Sequence, residues 1–161
     1  MSGNAMSGRT VSDALIEPHW QDAFARVFDL CAARSGETVT VLAETRSRQL
    51  NLTLATAALG ELQLAHEIVT VPSKPASAGP IIRSTGASTA LTGESDAVAR
   101  LCDSDLVIDL TVEGLMHAPE TAAILKSGAR IMTVSNEHPD ILARLVPEPA
   151  MKDVVRDAVA A

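Results

Sequence analysis

Four short runs of apolar and β-branched residues punctuate the chain: Thr38-Val-Thr-Val-Leu-Ala43, Ala65-His-Glu-Ile-Val-Thr-Val71, Asp105-Leu-Val-Ile-Asp-Leu110 and Ala129-Arg-Ile-Met-Thr-Val134. Runs of this length, bounded by Gly, Pro or charged residues, read as buried strands. The segments around them carry apolar residues at helical spacing. They predict helices over about 18–33, Ser47–Gly60, Glu94–Leu101, Pro119–Ser127 and Pro139–Leu145, and from Ala150 onward. Pro18 suits a first helical turn, and Gly36, Gly60 and Gly128 read as stops. Strands alternating with helices require right-handed crossovers, and such crossovers make a parallel sheet. The expected fold is therefore α/β: a Rossmann-like parallel four-stranded sheet with helices on both faces.

A chain of 161 residues with 47% hydrophobic content suffices for one core. We expect a single α/β domain over 18–161 after a polar, Gly- and Ser-rich segment, 1–17, that reads as disordered. Trp20, Phe24 and Phe28 are the only aromatics and Tyr is absent, so small aliphatic side chains must fill the interior. Pro72–Gly93 departs from the pattern, with Pro and Gly throughout and the pair Ile81-Ile82 as its anchor. It reads as a long mobile loop. Met151, Val154, Val155, Ala158 and Val159 form an apolar stripe on the last helix, with no stop signal after it. That stripe is expected to meet protein rather than water; the missing stop signal reads equally as a fraying C-terminal helix or as the mark of a chain that continues in a longer parent.

The net charge of −7, with only 13 Lys and Arg, argues against nucleic acid, whose phosphates need clustered cations. No apolar run reaches the roughly 18 residues of a membrane span, and the first residues lack the layout of a secretory signal, so no membrane partner and a cytoplasmic location are expected. Cys31 and Cys102 have no metal or redox spacing and read as two buried thiols. The sequon Asn51-Leu-Thr53 lies in a helical pattern and carries no information in a cytosolic chain.

Ligands of open parallel sheets bind beyond the carboxyl ends of the strands. The residues there are Glu44, Thr45 and Arg46 after the first strand, Asp109, Thr111, Glu113 and His117 at the third, and Ser135, Asn136, Glu137 and His138 after the fourth. The first turn, Ala43-Glu-Thr-Arg-Ser47, has no glycine with which to approach a pyrophosphate, and no GK[ST] phosphate loop occurs. Glu113, His117 and His138 match the residue types of a two-His, one-carboxylate iron site. Pro119, however, puts the helix start after the first two, so they read as loop residues, with His138-Pro139 a helix entry. Ser84 and Ser88 lack the GxSxG elbow of a nucleophile and read as loop hydroxyls. Glu44, Arg46, Glu113 and His117 are the candidates for lining a cleft; no residue is assigned a catalytic role, and no metal site is assigned to this chain.

The stretch Ser104-Asp-Leu-Val-Ile-Asp-Leu-Thr-Val-Glu-Gly-Leu-Met-His-Ala-Pro-Glu120, then Ser127–Val134 and Glu137–Leu145, resembles the 2,5-dihydroxypyridine 5,6-dioxygenase family. The opening Phe28-Asp-Leu-Cys31 and Gly36–Arg46 agree with it, so the resemblance covers most of 20–161. It is similar also to distant relatives of that family, the thermophilic metallo-aminopeptidases of the aminopeptidase T type. The resemblance implies the N-terminal half of a two-domain non-haem iron enzyme that opens a dihydroxypyridine ring in nicotinate- or nicotine-type catabolism. It implies Fe(II) or another divalent metal held by the C-terminal half, a small aromatic substrate, homo-oligomer contacts, and no activity from this half alone. Two alternatives stay open: a metallo-aminopeptidase relative that hydrolyses peptides without O₂, and a stand-alone binding or oligomerisation module.

Overall fold

Each of the four apolar runs forms a strand in the computed structural model, which describes residues 16–75 and 87–160. The strands are β1 (Val39–Glu44), β2 (His66–Val71), β3 (Leu106–Asp109) and β4 (Arg130–Thr133). They alternate with α1 (Pro18–Leu30), α2 (Gln49–Glu61), α3 (Ser95–Cys102), α4 (Thr121–Lys126), α5 (Pro139–Leu145) and α6 (Met151–Ala160). The sheet has the order β2-β1-β3-β4 and every pair is parallel, with Val39 opposite both His66 and Leu106.

Side chains alternate across a strand, and the core divides accordingly. Val39 and Val41 of β1 and Leu106 and Ile108 of β3 face one layer, where they meet Phe24 and Phe28 of α1, Leu54 and Leu59 of α2, and Leu142 of α5. Leu42, Val107 and Val69 face the other, against Leu101 of α3 and Ile124 of α4. Each such aliphatic or aromatic side chain contributes about 1.5–3 kcal/mol by leaving water. The β1–α2–β2 crossover thus lies on one face, and the crossovers through α3 and α4 lie on the other. The chain reverses direction across the sheet between β1 and β3, and their carboxyl ends flank the crevice that such a reversal creates.

Several boundaries differ from expectation for local reasons. α1 closes at Leu30 rather than near Gly36: Ala32 takes the left-handed φ of +54°, Ala33 N–H returns to Phe28 O at 3.0 Å, and Ala32 N–H to Asp29 O at 2.8 Å. This is a Schellman closure with alanine in the position usually held by glycine. α2 likewise runs through Gly60 and is closed by Gln63 at φ +55°, with Leu64 N–H on Leu59 O. Gly128, at φ +102°, does follow the end of α4.

In the Pro72–Gly93 connection, residues 76–86, including Ile81 and Ile82, lie outside the described residues. Its second end is not loose. Ala90 and Leu91 are buried in the second core cluster, and Ser88 N–H donates to Gly114 O at 2.9 Å, so this end of the connection is anchored by residues that the sequence pattern did not mark. Residues 1–15 of the segment expected to be disordered also lie outside the described residues, while Ile16 packs on the first cluster. Cys31 and Cys102 are free and half-buried rather than buried. Burial pushes the Cys31 thiol up, against the opposing charge of Arg130. Among the described residues no helix is long and apolar enough to cross a membrane.

Candidate functional site at the carboxyl edge of the sheet

Glu44 is the last residue of β1, and its carboxylate crosses the crevice: Oε1 accepts Val112 N–H at 2.9 Å. The turn that follows is fixed from several sides. Ser47 Oγ accepts Glu44 N–H at 2.7 Å and donates to Leu110 O at 2.7 Å, so one hydroxyl ties the end of β1 to the residue after β3. Arg46 N–H donates to Ser73 Oγ at 3.0 Å, and Ser73 N–H to Thr45 Oγ1 at 3.1 Å, which attaches the segment after β2. The Arg46 side chain is left exposed.

Asp109 ends β3 and has no exposed surface. Its Oδ1 accepts Thr111 N–H at 3.0 Å and Thr111 Oγ1–H at 2.6 Å, and its Oδ2 accepts Leu115 N–H at 2.6 Å. Burial pushes this carboxyl above the usual aspartate range, while the donors from Thr111, Leu115 and Thr133 act against that rise. The carboxylate therefore clamps both ends of Thr111–Leu115, and Gly114 at φ +77° supplies the bend between them. Glu113 lies half-buried within the clamped turn, and Met116 and His117 stand exposed just beyond it.

The fourth strand's loop is bound to α2. Asn51, fully buried in the first turns of α2, donates Nδ2–H to Ser135 O at 3.3 Å and Glu137 O at 2.9 Å. In return Asn136 Oδ1 accepts Arg48 N–H at 2.6 Å, capping α2 where Arg48 has no side-chain cap of its own. These contacts hold Ser135 at φ +51°. His138 is the N-cap of α5, as its position before Pro139 suggests, with Nδ1 accepting Asp140 N–H at 3.3 Å. Its ring meets Trp20 edge-on at 5.3 Å, and Trp20 Nε1–H donates to Asp140 Oδ1 at 2.6 Å.

Of the four cleft candidates, Glu44 reaches the loop that carries Glu113 and His117, and Arg46 sits on the adjoining turn. His138 is turned instead to Trp20 and its own helix. The described residues accordingly do not fit a resident iron: no group of three or more His, Cys, Asp or Glu among them converges as metal ligands. Sequence reasoning missed Asn51, set aside as part of an idle sequon, and named Asp109 at the end of the third strand without giving it a role. A carboxylate inside the apolar run Leu-Val-Ile-Asp-Leu was the available signal for the second. Asn51 gave none, because its partners lie 84 and 86 residues away.

Comparison with known proteins gives one consistent result. The sequence profile of the family described as NicX, 2,5-dihydroxypyridine 5,6-dioxygenase, matches residues 19–161. A 2,5-dihydroxypyridine 5,6-dioxygenase of Pseudomonas putida KT2440 is 32% identical over 126 residues, which cover 77% of this chain and 35% of that protein. The solved structure of the 2,5-dihydroxypyridine dioxygenase from the same strain superposes with a TM-score of 0.72 at 30% identity, covering 83% of this chain and 38% of that one. The chain thus spans little more than a third of the length of the relatives it matches.

Proposed function

The chain belongs to the 2,5-dihydroxypyridine 5,6-dioxygenase family, and from that membership we propose that it acts as the N-terminal α/β domain of an enzyme that opens the ring of 2,5-dihydroxypyridine with O₂. The observation that carries the reading is the family match over 19–161, which spans the whole described sheet. In this reading the carboxyl edge of the sheet forms one wall of the substrate cleft. Arg46 offers an exposed guanidinium to an ionised ring hydroxyl, His117 offers an exposed imidazole to hydrogen-bond the ring substituents, and Glu44 and Glu113 shape the loop between them. In this reading the metal that the reaction needs would be held by the remainder of the fold. Iron would supply the positions at which O₂ and substrate bind, and this domain would supply the wall against which the ring is oriented.

The test is a chimera in which residues 19–161 replace the matching part of the Pseudomonas putida dioxygenase. Oxygen uptake with 2,5-dihydroxypyridine is the expected result, with Arg46→Ala and His117→Ala each lowering kcat/KM by about tenfold or more, equivalent to about 1.4 kcal/mol. A folded, iron-loaded chimera that consumes no O₂ would refute the assignment. Uptake indifferent to both substitutions would refute the proposed wall.

A further inference from the structure

We propose that α6, together with Ile141 and Leu145 of α5, is the face on which the remaining part of the family's fold docks; this rests on the reading of the chain as one domain of that fold. Eleven large hydrophobic residues are exposed among those described, and six of them fall in one short region: Ile141, Leu145, Met151, Val154, Val155 and Val159. The other five, such as Leu30 and Leu62, are scattered singly, which is ordinary for a protein surface. Met151, Val154, Val155, Ala158 and Val159 follow the i, i+3, i+4, i+7, i+8 spacing of one helix face, yet α6 has no buried residue. The helix does not fold back on its own sheet.

The chemistry of α6 selects among occupants. Its polar face carries Lys152, Asp153, Arg156 and Asp157, two charges of each sign, and Arg156 is paired with Asp153 at 2.9 Å and Asp157 at 3.4 Å. A helix that lies on an anionic membrane needs a Lys- and Arg-rich polar face, which this one lacks. An apolar protein surface fits. The matched relatives have the extra protein: the region equivalent to this chain is 35–38% of their length, and the rest of their fold lies outside it.

The full chain, mixed with the part of the Pseudomonas putida dioxygenase outside the matched region, is expected to form a 1:1 complex by sedimentation velocity. By titration calorimetry Val154→Lys and Val155→Lys are expected to weaken the complex by about tenfold or more each, and Lys152→Ala on the opposite face to leave it unchanged. Should the partner segment not fold alone, the two are fused and amide exchange in α6 is compared with that in the free chain. Slowing by about tenfold or more on fusion, abolished by Val155→Lys, is expected. A complex insensitive to both valines, α6 amides unprotected in the fusion, a dimer of the chain dispersed by Val155→Lys, or binding to phosphatidylglycerol vesicles would each overturn the proposal. None of these readings depends on oxygen uptake, so an inactive but assembled complex would refute the dioxygenase assignment alone.

Discussion

Helices α1 and α6 present the same kind of apolar stripe and meet opposite fates. In α1 the stripe lies against the sheet, with Ala23, Phe24 and Phe28 buried and the two rings 6.1 Å apart edge to face. In α6 it lies in water, and Val159 is 83% exposed. An amphipathic pattern therefore states that a face is to be covered; it does not state by what. The cover for α1 comes from α2, α5 and the sheet within the domain, whereas α6 has none among the described residues.

The largest expected effect separates the two helices directly. Phe28→Ala is expected to lower the unfolding free energy by about 3–5 kcal/mol, the cost of a large buried ring and the cavity it leaves. Val155→Ala in the same chain is expected to change it by no more than about 0.5 kcal/mol, as an exposed site should. Urea denaturation of both variants checks this. A cost above about 1 kcal/mol for Val155→Ala would break the comparison, since exposed positions away from special features stay below that.

A smaller effect is expected at the clamp after β3. In Asp109→Asn the amide group places a donor where the carboxylate accepted one, facing either Leu115 N–H or the Thr111 pair. A loss of about 1–3 kcal/mol is expected for the orphaned donor. Because burial raises the Asp109 carboxyl in the folded state, its stabilising contribution is greatest below its unfolded value and declines as pH rises through the folded one. The stability gap between the parent chain and Asp109→Asn should therefore narrow as pH rises. A gap that widens with pH would show that the donors from Thr111 and Leu115 outweigh desolvation.

The smallest effect runs the opposite way with pH. Trp20 Nε1–H and His19 hold the Asp140 carboxyl below its usual 3.8, and the Arg100 guanidinium does the same for Glu67 below 4.5. Stability from these two pairs is present above those ordinary values and declines as pH falls through them and below. Both side chains are about two-fifths exposed, so the contribution is small and weakens with salt. Thermal melts should show a shallower loss of Tm below pH 4 in Asp140→Asn than in the parent chain. An equal slope would remove the Trp20–Asp140 contact as a link between α1 and α5.

Strands and helix faces were legible in the sequence because each obeys a local period. The run Asp105–Leu110 and the stripe 151–159 needed no partner to be recognised. Helix ends were less so: Ala32 and Gln63 adopt left-handed backbone that favours glycine, and nearby glycines at 36 and 60 drew the expected ends away. Glu44 was marked because the residue that ends a strand in such sheets stands at the crevice, and its carboxylate does accept Val112 N–H across it. Asn51 and the Asn136 cap were not, because their meaning comes from loops that the sheet order brings together. Family membership was legible as well, through the Ser104–Glu120 stretch, but the cover for α6 was not, since no pattern in one segment specifies the surface that meets it.

Amide hydrogen exchange of the chain alone tests most directly the claim that the sheet with α1–α5 is self-sufficient and α6 is not. The slowest amides should lie in β1 and β3, with opening free energies approaching that of global unfolding, and those of α6 should exchange with protection near zero. Protection in α6 equal to that of β1 and β3 would contradict the account, for it would mean that the helix is already covered within the domain.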